Sequence, residues 1–186
     1  MRKTDGNADR FQIPVMFAFR DAFDAKDARK RIEERRDGEK VISGRGSLKR
    51  RGADETALKR NFAVDLLALV NTVDLASVID LDDLEHVGRS VLNFGLYDVA
   101  HLTSEEVGVE AVARGLSAAL LNHEPRLNPE TLNVVREQNF DEVNQRIRFT
   151  VSAEMSCAPL DVPIEFVAEI DIGSGKVQLT RLPVST

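Results

Sequence analysis

The sequence has no tryptophan, a single cysteine and only 5% aromatic residues. So few aromatics argue against a surface that stacks bases or sugar rings. One cysteine, Cys157, excludes a disulfide within the chain and fits a reducing compartment. It reads as a small buried apolar residue rather than a nucleophile. No apolar run approaches the length of a membrane span. The opening Met1-Arg2-Lys3-Thr4-Asp5-Gly6 lacks the apolar core of a signal peptide. The expected location is cytoplasmic, with no membrane insertion. His86, His101 and His123 have no ligand spacing with one another or with Cys157, so no metal site is expected. Gly44-Arg45-Gly46 lacks the flanking strand and helix of a phosphate loop. A Gly-x-Ser-x-Gly nucleophile elbow is missing. No cofactor is implied.

What is present is a globular composition, 42% hydrophobic and 30% charged over 186 residues. The net charge of −6 hides an asymmetry. Residues 1–60 carry 17 Lys and Arg against 11 Asp and Glu, whereas residues 61–186 carry 8 against 20. A basic leader on an acidic body suggests self-association or a docking arm. The leader begins with an apolar cluster that includes Phe11, Phe17, Phe19 and Phe23, four of the nine phenylalanines. That density needs burial on the body or on a partner, and Pro14 can open a short helix there. Asp24 to Arg36 reads as a solvated helix and Asp37 to Gly52, with four glycines, as a flexible linker. Its basic runs are diluted by Glu33, Glu34, Asp37 and Glu39, which disfavours nucleic acid as a partner.

The body should begin near Asp54, the N-cap of a helix with Leu58, Phe62, Leu66, Leu69 and Val73 on one stripe. A second helix is expected from Leu81 to about Leu92, with Leu84, Val87 and Val91 inward and Gly95 closing it. A third starts at a Thr103–Glu106 capping box, carries Val109, Val112, Leu116 and Leu120, and ends at Pro125. The period then changes to two. Leu132 and Val134, Ile147 to Met155, Ile164 to Ile172, and Val177 and Leu179 mark strands, with a tight turn at Gly173-Ser174-Gly175. Arg146 and Arg148 are placed to oppose Glu165 and Glu169 across strands. The expected fold is α+β, with helices on one face of a small, mainly antiparallel sheet. Residues 1–52 form an N-terminal extension and 53–186 the body. The first and last strands of the sheet are candidate edges, and the edge at Val177 and Leu179 is open to a strand from another chain.

Glu124 is the local oddity, a carboxylate at the negative end of a helix. Either it pairs with Arg126 across Pro125, or Arg126 caps the last carbonyls, or the pair serves an interface, where Arg126 offers a planar fork of donors. With 31 acidic residues, carboxylate pairs for glycoside cleavage are too numerous to single out, although Glu124 would serve as the acid.

Three stretches carry a resemblance. Arg60 to Thr72, ending Leu69-Val70-Asn71-Thr72, resembles a segment of the TssE family that ends Leu-Asn-Thr-Arg. Ser90-Val91-Leu92-Asn93-Phe94-Gly95-Leu96 is similar to its Ser-Val-Leu-Asn-Tyr-Gly-Leu, and His123-Glu124-Pro125-Arg126-Leu127 to its Glu-Pro-Arg motif. Val73 and Phe94 stand where the family has Arg and Tyr. TssE is the baseplate subunit of type VI secretion systems, similar to the sheath-initiating wedge protein of contractile phage tails. The resemblance implies a structural, non-enzymatic part with a fold similar to the strand-exchanging part of sheath proteins. It implies that Glu124, Pro125 and Arg126 contact the core bundle of the baseplate wedge. It also implies strand exchange with a contractile sheath subunit, with Phe17, Phe19 and Phe23 of the leader helping to anchor the piece. The alternatives are a lysozyme-like peptidoglycan-cleaving glycosidase, a label the family has carried, and a regulatory binding module of the same fold.

Overall fold

The computed structural model describes residues 11, 12, 14, 16–24, 26, 32–36, 39–43, 52–99, 106–137 and 146–182. Helix α1 (Met16–Asp24) follows Pro14, whose carbonyl accepts from the Phe17 N–H. Strands β1 (Ile32–Arg36) and β2 (Glu39–Ser43) then pair antiparallel, with Arg36 opposite Glu39. This corrects the sequence reading, which made the first part of this stretch a solvated helix and the rest a linker. The signal was the Asp37-Gly38 pair, a dipeptide that two-residue hairpin connections favour.

Helix α2 (Glu55–Val70) starts where expected, with the Asp54 side chain accepting from the Ala57 N–H at 2.7 Å. Leu58, Phe62, Leu66 and Leu69 are buried, but the helix stops before Val73. Val73 is exposed and bridges Leu96 in parallel. The expected second long helix does not form. Among the described residues between α2 and the next long helix lie a 3-10 turn (Leu75–Ser77), one α-helical turn (Glu85–Gly88) and a second 3-10 turn (Val91–Asn93). Short polar side chains take the backbone groups that a helix would have used. The Asn93 amide donates to the Gly88 carbonyl and its oxygen accepts from the Ala76 N–H, while Ser90 bonds the Val87 carbonyl. Leu84, Val91 and Leu92 are therefore exposed instead of lining a core stripe. Gly95 has φ +144°, and a Cβ there would sit 2.5 Å from the Thr72 carbonyl oxygen, so only glycine lets these two backbones meet.

Helix α3 (Glu106–His123) buries Val109, Val112, Leu116 and Leu120, the expected stripe. The capping residues expected before it, Thr103 to Glu105, lie outside the described residues. The main sheet has four antiparallel strands in chain order: β3 (Asn133–Arg136), β4 (Arg146–Met155), β5 (Val162–Asp171) and β6 (Val177–Thr180). Alternate residues from Ile147 to Met155 and from Val162 to Ile170, with Val177 and Leu179, form one apolar face. That face shares a core with α2 and α3, and Phe62 meets Phe166 edge to face at 6.5 Å. The fold is α+β, as the change of period predicts, and β3 and β6 are its two edges. On the wet face, Arg146 and Arg148 both converge on Glu169 at 2.7 Å. Glu165, expected to face them, bonds Arg181 instead.

Candidate functional site

Helix α3 ends in a corner stitched to the sheet. The Glu124 N–H still bonds the Leu120 carbonyl, and the chain then turns at Pro125 and Arg126. The Arg126 carbonyl accepts from the Ser156 N–H, and the Asn128 N–H donates to the Glu154 carbonyl, both at 2.8 Å. The corner is thus anchored to the end of β4 and cannot swing freely.

Within it, Glu124 is 5% exposed. Its two oxygens accept from Arg126, Oε1 from Nε at 2.6 Å and Oε2 from a terminal nitrogen at 2.5 Å. Arg126 also reaches Asp65 on α2 at 2.7 Å, with its guanidinium carbon 5.3 Å from the centre of the Phe62 ring. Arg20 of α1 bonds the other Asp65 oxygen, and the Asn61 side chain at 2.9 Å. The order Glu124–Arg126–Asp65–Arg20 alternates sign through three elements. Burial works against the Arg126 charge, but the hydrogen bonds and charges of Glu124 and Asp65 outweigh it and raise its pKa above the ordinary arginine value. The pairing of Glu124 with Arg126 across Pro125 is the plainer of the sequence readings, and it is what the structure contains. It answers the dipole problem by neutralisation.

Pro125 itself is exposed. Beside it opens a pocket of about 360 Å³, with Met16, Ala68, Leu69, Phe94 and His123 in its wall. His123 and Phe94 meet edge to face at 5.4 Å. The three motif stretches, far apart in sequence, therefore share this one site. The first supplies Asn61, Phe62, Asp65 and Ala68, the second Phe94, and the third His123 to Arg126.

The other predicted interface residues divide. Phe17 is 4% exposed and packs in the chain's own core, where it also lines the pocket beside Pro125. The reason is that α1 docks beside α2 through Arg20, and Phe17 lies on the docked side. Phe19 and Phe23 are exposed. Val177 and Leu179 turn their side chains into the core, so what β6 offers a partner is backbone. Sequence reasoning missed Asp65, Asn61 and Arg20. The signal for the first two was their position. Asn61 and Asp65 fall three or four residues from Leu58, Phe62 and Leu69, on the buried stripe itself, where an unpaired polar group is costly.

Both Glu124 oxygens are occupied by Arg126, and the nearby Asp65 carboxylate is held by two arginines. Burial, then the Asp161 charge, push the Cys157 thiol up against a smaller opposing effect of Arg126. Among the described residues no group of acidic, His and Cys side chains is placed to hold a metal ion. No helix among them is long and apolar enough to cross a membrane.

The described residues thus form an α+β domain with two strand edges and a fixed corner over a neutralised ion network. A family model for the baseplate wedge protein gp25 matches residues 56–160, more than half of the chain. The chain belongs to that family, which is also the family of TssE. Its role is structural, in a baseplate. Neither the curated proteins nor the solved structures give a match.

Proposed function

We propose that this protein joins a baseplate wedge to the contractile sheath of a type VI secretion system in the cytoplasm, and that it templates sheath assembly. The Pro125 corner docks on the core bundle of the wedge, and the sheet accepts a strand from the first sheath subunits. The observation that carries the reading is the corner. Pro125 projects from a turn whose charges are satisfied internally, next to a mostly apolar pocket that a side chain from a helical bundle would fill. The edges at β3 and β6 support the second contact.

Ala68→Gln and Pro125→Ala test the wedge contact without bringing a new charge to the ion network, and both residues are exposed. Co-purification with wedge subunits should be lost while the melting temperature holds. Unchanged binding in both variants would overturn the docking assignment. The glycosidase alternative has no observation in its favour, because Arg126 occupies both oxygens of Glu124.

A further inference from the structure

The strand-addition reading has a specific obstacle at β6. Antiparallel strands turn alternate residues toward and away from a given neighbour. Asp171 N–H donates to the Lys176 carbonyl at 3.0 Å, so Lys176, Gln178 and Thr180 face β5. Val177 and Leu179 therefore point their N–H and C=O out of the sheet. The Asn71 side chain, from the C-cap of α2, meets the outward groups of Val177. Its Nδ2 donates to the Val177 carbonyl at 3.0 Å, and its Oδ1 accepts from the Val177 N–H at 3.1 Å. One carboxamide thus reproduces both bonds that a residue of a neighbouring strand would make. Leu179 has no such cover among the described residues.

We infer that Asn71 is a displaceable plug on this edge: it fills the Val177 slot in the free chain, and an extended segment of a partner takes that slot by replacing both bonds. The inference rests on the strand-addition reading and adds how that edge is guarded. The exchange is like for like, two hydrogen bonds for two. The released Asn71 is exposed to water and keeps its bond to the Leu67 carbonyl, 3.1 Å away. With the plug in place only Leu179 is left without a partner among the described residues of this edge, and one pair of bonds is too little to hold two strands together. An unplugged Val-Gln-Leu-Thr edge would invite pairing between copies. The partner that fits is an extended segment whose residue opposite Val177 carries an N–H, hence not proline. Its alternate side chains should be apolar, to continue the buried row of Val177 and Leu179.

The test uses the full chain, with amide exchange and sedimentation velocity. In the native protein the Val177 amide should exchange slowly and the Leu179 amide fast. In Asn71→Ala and in Asn71→Ser, which is too short to reach β6, Val177 exchange should rise on the order of tenfold, the worth of one or two net hydrogen bonds. That rise is read at dilution, where the chains are monomeric; at higher concentration these variants should dimerise, and the pairing should restore Val177 protection. Adding Leu179→Pro removes an outward N–H that β5 does not use, and should restore the monomer. A folded variant that loses Val177 protection and stays monomeric at that higher concentration overturns the inference, as does a dimer indifferent to Leu179→Pro. Unfolding of both Asn71 variants would make the residue a fixed structural link and overturn it too. Since no sheath protein enters the assay, its failure is separable from failure of the sheath-docking reading.

Discussion

Removing the Arg126 side chain probes the corner most directly. Arg126→Ala takes away both side-chain hydrogen bonds to Glu124, which is 5% exposed, leaving it the Arg126 N–H at 3.3 Å, and removes one of the two arginines that hold Asp65. Asp65 keeps Arg20 and is half-exposed, so it adds little to the cost. Breaking a buried pair from one side typically costs about 3–5 kcal/mol, because the other charge is left uncompensated. The Arg126 side chain is 18% exposed, which favours the lower end, about 3 kcal/mol. For a chain of this size that is a fall in melting temperature of roughly 6–12 °C. Glu124→Ala/Arg126→Ala removes the orphaned carboxylate as well. The double variant should then be no less stable than Arg126→Ala, with a coupling energy of about 2 kcal/mol or more. Urea unfolding of the native protein, the two single variants and the double variant gives the cycle. An Arg126→Ala chain within about 0.5 kcal/mol of native, or strictly additive effects, would refute the network. It follows that loss of partner binding in Arg126→Ala alone does not identify an interface, which is why the docking test uses Ala68 and Pro125.

Gly95→Ala should destabilise by about 3 kcal/mol or more, since it combines a positive φ with a Cβ 2.5 Å from the Thr72 carbonyl oxygen; a melt within a degree of native would contradict this. The hydrogen bond from Arg148, then the other contacts with both arginines, hold the Glu169 pKa below the usual carboxylate value against some opposition from burial. Its stabilisation is therefore complete above the unfolded value of about 4.3 and lost as the pH falls through the lower folded value. Glu169→Gln should flatten the acid limb of stability measured by denaturant unfolding, and parallel curves would exclude the pairing as its source. Burial pushes the Tyr97 hydroxyl up to about 12, against a smaller opposing effect of the Arg114 charge. The hydroxyl oxygen is buried without a hydrogen-bond partner among the described residues. Tyr97→Phe should hold or gain about 1 kcal/mol. It should also resist alkali where the native protein weakens as the pH rises from about 10 through 12; a loss above 1 kcal/mol would reveal a missed partner.

Local order was largely legible because it depends on neighbours in sequence. The Asp54 cap and the stripes of α2 and α3 follow from a 3.6-residue period, and the sheet from a period of two. The reading failed where one local signal outbid another. A stripe through Leu84, Val87 and Val91 suggested a helix, but Ser90 and Asn93 bond the backbone themselves, and Leu84 and Val91 end up exposed. The four glycines between Asp37 and Gly52 suggested a linker, although Asp37-Gly38 is also a dipeptide that hairpins favour. Phe17 was ambiguous in principle: a leader phenylalanine has no local cue that separates its own core from a partner's.

The sequence by itself determined the elements, the acidic body and the three motif stretches that mark the family, since each is a matter of residue type and short-range spacing. Only the tertiary structure brought Asn61, Asp65, Phe94 and Glu124 to one corner, paired Arg126 with charges from two elements, and set Asn71 against a strand 106 residues away. Ion pairs and borrowed hydrogen bonds act over a few ångströms in space. Which residues come that close is decided by how the helices pack on the sheet, and no spacing along the chain encodes it.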